Sequence, residues 1–360
     1  MRQTCRLTEA DHEALAADLD ALRDRFRSEL GERDAAYIHR IIKLQRGLEL
    51  GARALLQASA MRRGSRPLWA AGTVTLSLAK ILENMEIGHN VMHGQWDWMH
   101  DPKIHSTTWE WDAVAPAELW KHLHNVVHHT NTNVLGKDDD LGFGLLRVRP
   151  EQPWHPVCLA QPLYALLLMM FFEYGVAVAD LEIDQILAGE HDKELTRAKL
   201  RVIGRKIRRQ WTKDYLAFPA LSALPALSGR GFGSTLLAGF IANTARNLWA
   251  TTIIYCGHLP DQAQVFPEER LENESRGEWY VRQMTGSANI SGGAFLHLLS
   301  GNLSHQVEHH LFPDLPSNRY AQIAPHVRAL CAKYDLPYNT DSLTRQVGST
   351  WRKIFRLAFP

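Results

Sequence analysis

Apolar residues first recur with a helical period. Leu15, Leu19, Leu22, Phe26 and Leu30 fall three or four residues apart in an otherwise charged stretch, which puts them on one helix face. Thr8-x-x-Asp11 precedes them with the spacing of a capping box. The pattern predicts a water-facing helical arm over residues 8–46, and a division of the chain into 1–46 and 47–360. Residues 1–46 are rich in charge and lack the apolar stretch of a signal peptide. Beyond them the period gives way to uncharged runs. Segments 154–172 and 215–229 carry no Asp, Glu, Lys or Arg, 231–260 carries only Arg246, and 67–79 continues past Lys80 to Ile81 and Leu82. Segment 47–60 is weaker, with Glu49 and Arg53 inside it. A bilayer span needs about 20 apolar residues. Segments 154–172 and 231–260 have that length, whereas 67–82 and 215–229 are short. No internal repeat or low-complexity tract interrupts the series.

Charge narrows the reading. The 360 residues hold 40 Lys and Arg against 39 Asp and Glu, a net +1, which argues against a nucleic-acid binder and against an acidic disordered tail. Mean hydropathy is −0.25, which suits a membrane protein with a large wet portion and equally a water-soluble helical one. Cys5, Cys158, Cys256 and Cys331 lie far apart without a CxxC, so neither a disulfide framework nor a cysteine zinc site is indicated.

Histidine decides more. There are 18, and eight fall in three clusters: His89 and His93; His124, His128 and His129; His305, His309 and His310. Residues four apart share a helix face, so each cluster presents its imidazoles together. Neutral imidazole suits iron, zinc or copper. Eight nitrogens are too many for one tetrahedral zinc and suit two metals.

The chain resembles the integral-membrane fatty acid desaturases, whose three histidine boxes surround a di-iron centre. The resemblance is carried by GHNVMHGQWDW (88–98), HNVVHHTNTN (124–133) and GNLSHQVEHHLFPDLPSNRY (301–320), and spans about residues 66–340. Among the members, actinobacterial acyl-CoA desaturases look most similar, and YCGHLPD (255–261) also looks like theirs. The resemblance implies an all-α integral membrane protein with about four transmembrane helices and a cytosolic helical cap holding two irons. It carries over His89, His93, His124, His128, His129, His309 and His310 as metal ligands. In the third box Gln306 stands where many members have histidine, with His305 one position earlier. Either can complete the shell, and His305 is favoured as the better donor for iron, with Gln306 supporting. A ligand after a transmembrane helix is also expected, and His258 occupies that place. His297 is read as packing. Asp97 is a candidate to hydrogen-bond a ligand imidazole. Asp138, Asp139 and Asp140 read as a solvated loop.

The implied reaction is O2-dependent insertion of a cis double bond into a long-chain fatty acyl group. Acyl-CoA is the favoured carrier, ahead of a carrier protein or lipid. Δ9 is the first expectation and Δ6 stays open because of the glutamine. The alternative outcome is a related membrane di-iron hydroxylase. Trp96, Trp98, Trp109, Trp111 and Trp120 are candidates to line an acyl tunnel. No GxGxxG follows a strand and His155-Pro156 continues with Val157, so a separate electron donor, a ferredoxin or flavin reductase, is implied.

Topology follows from parity. Boxes two and three bind one cluster, so an even number of crossings separates them. Residues 193–213 carry nine Lys or Arg, placing them in the cytoplasm. They could dock an acidic donor, coenzyme A phosphates or anionic lipid. With the boxes cytoplasmic too, 154–172 does not cross. The sequence thus predicts two hairpins, 47–60 with 67–82 and 215–229 with 234–256, in the cell membrane with the catalytic face cytoplasmic. Two rivals remain. Glu86-x-x-His89 and Glu9-x-x-His12 fit a ferritin-like carboxylate di-iron bundle, and a membrane metal transporter or haem protein would also use histidine.

Overall fold

A computed structural model describes residues 7–62, 64–138, 140–181, 183–226 and 229–360. Cys5, Arg63 and Asp139 lie outside them. Thr8 caps helix α1 (Glu9–Ser28) as the sequence predicts, its hydroxyl accepting from the Asp11 amide while the Asp11 carboxylate accepts from the Thr8 amide. The arm is not one helix. It breaks after Ser28, and Gly31 starts α2 (Glu32–Met61), which runs through residues 46 and 47 without a linker. Nor does the apolar face of α1 meet water, as explained below.

Helix α2 turns back into α3 (Arg66–Leu82), the first expected hairpin. A short helix α4 (Ala117–Lys121) leads into the second histidine cluster. The apolar stretch 154–172 ends in a sharp bend: Pro156–Met170, whose α-helical part is α5 (Gln161–Met170), meets α6 (Phe172–Ala179) at 89°. The basic stretch forms α7 (Lys193–Trp211), and α8 (Phe218–Ala226) packs against the long α9 (Gly229–His258) as the second hairpin. Among the described residues no single helix is long and apolar enough to cross a membrane.

The C-terminal third forms the cap: α10 (Arg276–Thr285), α11 (Gln306–Leu311), α12 (Tyr320–Lys333) and α13 (Leu343–Leu357). One addition to the all-α expectation is a pair of three-residue parallel strands, Asn289–Ser291 with Thr340–Ser342. Helix α1 lies across this cap. Leu15, Leu19, Leu22 and Phe26 are buried with Tyr280, Met284, Leu311, Phe312, Ile323 and Val327. The approach is closest at Gly277, where a Cβ would stand 2.2 Å from the His12 carbonyl oxygen. The stripe therefore seals the cap over the third box.

Candidate metal centre

Two of the three clusters sit on widened turns rather than regular α-helix. Beyond α3, residues Glu83–His89 form a π-helical turn, and beyond α4 residues His122–His128 form another. Such turns are rare and concentrate at functional sites. The third cluster opens α11, and His258 is the last residue of α9.

These elements bring the rings into two groups. Nitrogens of His89, His93, His124 and His309 lie within 4.8 Å of one another, as do those of His128, His258 and His310. His129 stands between, its ring 4.7 Å from His93, 4.9 Å from His309 and 4.5 Å from His310. His258 therefore joins the centre as expected. His305 does not. It stacks on His297 at 4.7 Å, away from both groups. The three-residue 3₁₀ segment Leu303–His305 precedes α11, so His305 is out of phase with the face that carries His309 and His310. Gln306 is the residue that turns inward, its Nε2 2.9 Å from His258 Nε2 and 3.2 Å from His310 Nε2. An amide N–H cannot ligate a cation. Turning the amide over presents Oε1, which has no partner, to the same point. Gly257 makes room for it, since a Cβ there would meet Gln306 Cδ at 2.9 Å.

The outer ring nitrogens are held. His124 Nδ1 lies 2.7 Å from Asp140, His128 Nδ1 2.8 Å from Asp138, and His89 Nδ1 3.1 Å from Asn90. His258 pairs with Asn133, His309 with Tyr320 and His310 with Gln283 through their Nδ1 atoms. An acceptor at Nδ1 fixes the proton there and leaves the Nε2 lone pair free. Asp138 and Asp140 are thus not a solvated loop but the carboxylates that orient the second box. Asp97 has no such role: it accepts from the Ser106 amide and hydroxyl. Asn133, Gln283 and Tyr320 lay outside the sequence reading, because a lone amide or phenol carries no spacing signal.

Burial keeps the rings uncharged. It pushes His89 down to about 4, and, with repulsion between neighbouring rings, holds His93, His124, His129, His258, His309 and His310 well below the ordinary imidazole value. Burial also opposes charge on His128, but the carboxylates of Asp138 and Asp140 outweigh it and raise its pKa. Buried nitrogens of His93, His129 and His309 have no hydrogen-bond partner, a cost that a bound cation removes. Inward-facing imidazoles in two adjoining groups, with burial opposing their charge, fit a pair of nitrogen-loving transition metals.

The neighbouring residues divide. Trp120 stacks on His124 at 4.5 Å and Trp111 lies against Trp120 at 5.2 Å. Trp96 is buried against Tyr37 instead, and neither Trp98 nor Trp109 stacks on a box histidine. Lys206 and Lys213 of the basic stretch turn inward to Glu110 and Asp112, leaving Arg197, Arg201, Arg205, Arg208 and Arg209 exposed.

Glu86 is buried and accepts from Tyr37, Ser317 and Asn302, away from the metal-binding nitrogens, which removes the ferritin-like reading of Glu86-x-x-His89. Burial raises its pKa from 4.5 to about 7. The folded state thus keeps a proton that the unfolded chain loses above 4.5. Its stabilising contribution is whole below 4.5 and falls by about 3 kcal/mol as pH rises to about 7. Glu86→Gln is expected to flatten the fall in apparent melting temperature across that window. An unchanged slope would assign the pH dependence elsewhere.

A family model described as fatty acid desaturase matches residues 67–342. An NADPH-dependent stearoyl-CoA 9-desaturase of Mycobacterium tuberculosis is 50% identical over 354 residues, 98% of this chain and 82% of that protein. An sn-1 linoleoyl-lipid 6-desaturase of Synechocystis sp. is 23% identical over 279 residues, 76% of this chain and 75% of that protein.

Proposed function

The chain belongs to the fatty acid desaturase family, and from that premise we propose that it inserts a cis double bond at Δ9 of a long-chain acyl-CoA, with two irons, O2 and electrons from a separate donor. Desaturation itself, an oxidoreductase activity of lipid metabolism, follows from the family and the 50% relative. That relative's match over 98% of the chain carries the choice of CoA and of Δ9 over Δ6.

In this reading His89, His93, His124 and His309 hold one iron, and His128, His258 and His310, with Gln306, hold the other, His129 lying between them. Iron bound there supplies the reductive activation of O2 needed to remove hydrogen from an unactivated methylene. The protein's part is orientation and dryness. Asp138, Asp140, Asn90, Asn133, Gln283 and Tyr320 hold the rings in one tautomer, and the buried walls exclude water. Trp120 and Trp111 give an apolar wall for an acyl chain beside His89 and His93. Each double bond releases two hydrogens with their electrons. Reducing O2 to two waters takes two further electrons and two protons; NADPH delivers both electrons and one proton through a ferredoxin or flavin reductase, and water supplies the other proton.

We place the protein in the cell membrane through two helical hairpins, α2–α3 and α8–α9, with the boxes cytoplasmic. The support is an inverted surface. Leu50, Val74, Leu221, Leu224 and Leu237 of these helices are exposed, whereas Arg53, Lys80 and Arg246 turn inward. Arg53 and Lys80 meet Asp214 at 3.0 and 2.8 Å, and Arg246 meets Glu173 at 2.6 Å. A water-exposed bundle has the opposite pattern. The bend between α5 and α6 suits a segment that enters the membrane boundary and returns.

Expression in a host lacking its own Δ9 desaturase, followed by lipid profiling, tests the reaction. Oleate should appear in cells. The purified protein with stearoyl-CoA and O2 should stay idle until NADPH and a reductase are added. A hydroxylated product, a Δ6 bond, or turnover without any donor would each overturn the corresponding part.

A further inference from the structure

We propose that the C-terminal helix α13 is a membrane-surface element that takes anionic phospholipid headgroups. The proposal builds on the membrane placement above. Residues 342–360 carry Arg345, Arg352, Lys353 and Arg356 and no Asp or Glu. The inner face of α13 is committed to the fold. Gln346, Thr350, Ile354 and Leu357 are buried, and Ile354 packs with Leu141, Leu146, Ala165 and Met169. The chain end is pinned along α5 and its approach. Gln161 Nε2 donates to the Ile354 carbonyl at 3.0 Å, Trp154 Nε1 to that of Ala358 at 2.9 Å, and an Arg147 guanidinium nitrogen to that of Phe359 at 2.8 Å.

The outer face leaves its phenylalanines open, and its arginines reach carboxylates at the rim. Phe355 and Phe359 are 53% and 58% exposed. Val157, Leu159 and Leu163, on the segment to which the chain end is tied, are 58%, 54% and 61% exposed. Arg352 and Arg356 flank Phe355 and Arg345 stands nearly three turns earlier on the helix, all with exposed side chains. Arg352 and Arg356 share one carboxylate, Asp261, and Arg345 faces Asp341. Three outward arginines thus meet two carboxylates and positive charge is left over. A fixed helix with exposed aromatics, an arginine rim and no acidic residue matches an interfacial amphipathic helix. The rings enter the acyl boundary and the guanidinium groups reach phosphates. The surplus charge selects anionic lipid over a second copy of this chain, whose like-charged face would repel it.

The test uses the full chain with Cys5→Ser and a single outward thiol from Phe355→Cys, or separately Phe359→Cys, carrying a polarity-sensitive fluorophore. Cys158, Cys256 and Cys331 are buried and should stay unlabelled. The protein is placed in nanodiscs of phosphatidylcholine alone or with phosphatidylglycerol. The label should be shielded from aqueous iodide and quenched by lipids spin-labelled near the headgroup, more so with phosphatidylglycerol. Arg352→Gln with Arg356→Gln should weaken that lipid preference by about fivefold per charge. A label open to iodide in every lipid, in protein that still requires detergent for extraction, overturns this proposal and leaves the membrane placement standing. Protein that stays in the supernatant without detergent overturns both. Shielding that tracks protein concentration instead of phosphatidylglycerol overturns it in favour of self-association.

Discussion

His309→Ala is expected to abolish desaturation, while His305→Ala leaves most of it. The two imidazoles are four residues apart in one box, yet only one belongs to the centre. His309 is wholly buried, its ring 4.8 Å from His93 and 5.0 Å from His89, with an unpartnered Nε2. Removing it takes one nitrogen from a four-histidine group and leaves a buried void that water can fill. His305 stacks on His297 and lies 3.9 Å from Glu308 through Nδ1, outside both groups, so its loss disturbs packing at one corner. Product formation in the host should therefore vanish for the first variant and persist for the second, with both proteins present at equal levels in the membrane fraction. Bound iron per chain should fall for His309→Ala alone. Equal loss in both would return His305 to the metal shell, and full activity of His309→Ala would remove the two-group assignment.

Asp138→Ala should rank next. Asp138 accepts from both His128 Nδ1 at 2.8 Å and the Asn133 amide at 2.7 Å. Asn133 in turn lies 3.0 Å from His258 Nδ1 through its side-chain oxygen. One carboxylate thus orients two rings of the same group. Losing such a support costs about 10- to 100-fold in metal affinity or activity. The readout is iron retained during titration with a chelator, compared with Asp97→Ala. Asp97 holds Ser106 and faces His105, neither of them in the two histidine groups, so that variant should retain iron like the parent protein. Identical chelator curves for all three proteins would refute the role of Asp138.

The sequence showed which parts repeat and missed which parts are single. Histidines at four-residue spacing announced the boxes, because a metal shell needs several identical donors on one face. Asp138 and Asp140 each hydrogen-bond a single histidine, and a run of acidic residues looks the same whether solvated or buried. His305 was preferred on donor chemistry. What excluded it was backbone: a 3₁₀ turn before α11 sets the phase, and Gly257 leaves space only beside Gln306. The apolar stripe of α1 was visible, but a stripe does not say what covers it. Segment 154–172 was the most apolar stretch, yet the chain bends sharply at its end, a break that hydropathy alone does not signal.

The docking of α1 has a consequence for when the enzyme becomes competent. Its buried face waits for α10 and α12, the latter ending at Lys333. A ribosome adding about 5–20 residues per second needs roughly 15–60 s to travel from one to the other. Through that interval Leu15, Leu19, Leu22 and Phe26 have no native partner, and the third box does not yet exist. The two histidine groups therefore cannot both close until the third box and the helices that cover it have been made, so the metal centre is completed late in synthesis and α1 spends that interval with its apolar face uncovered.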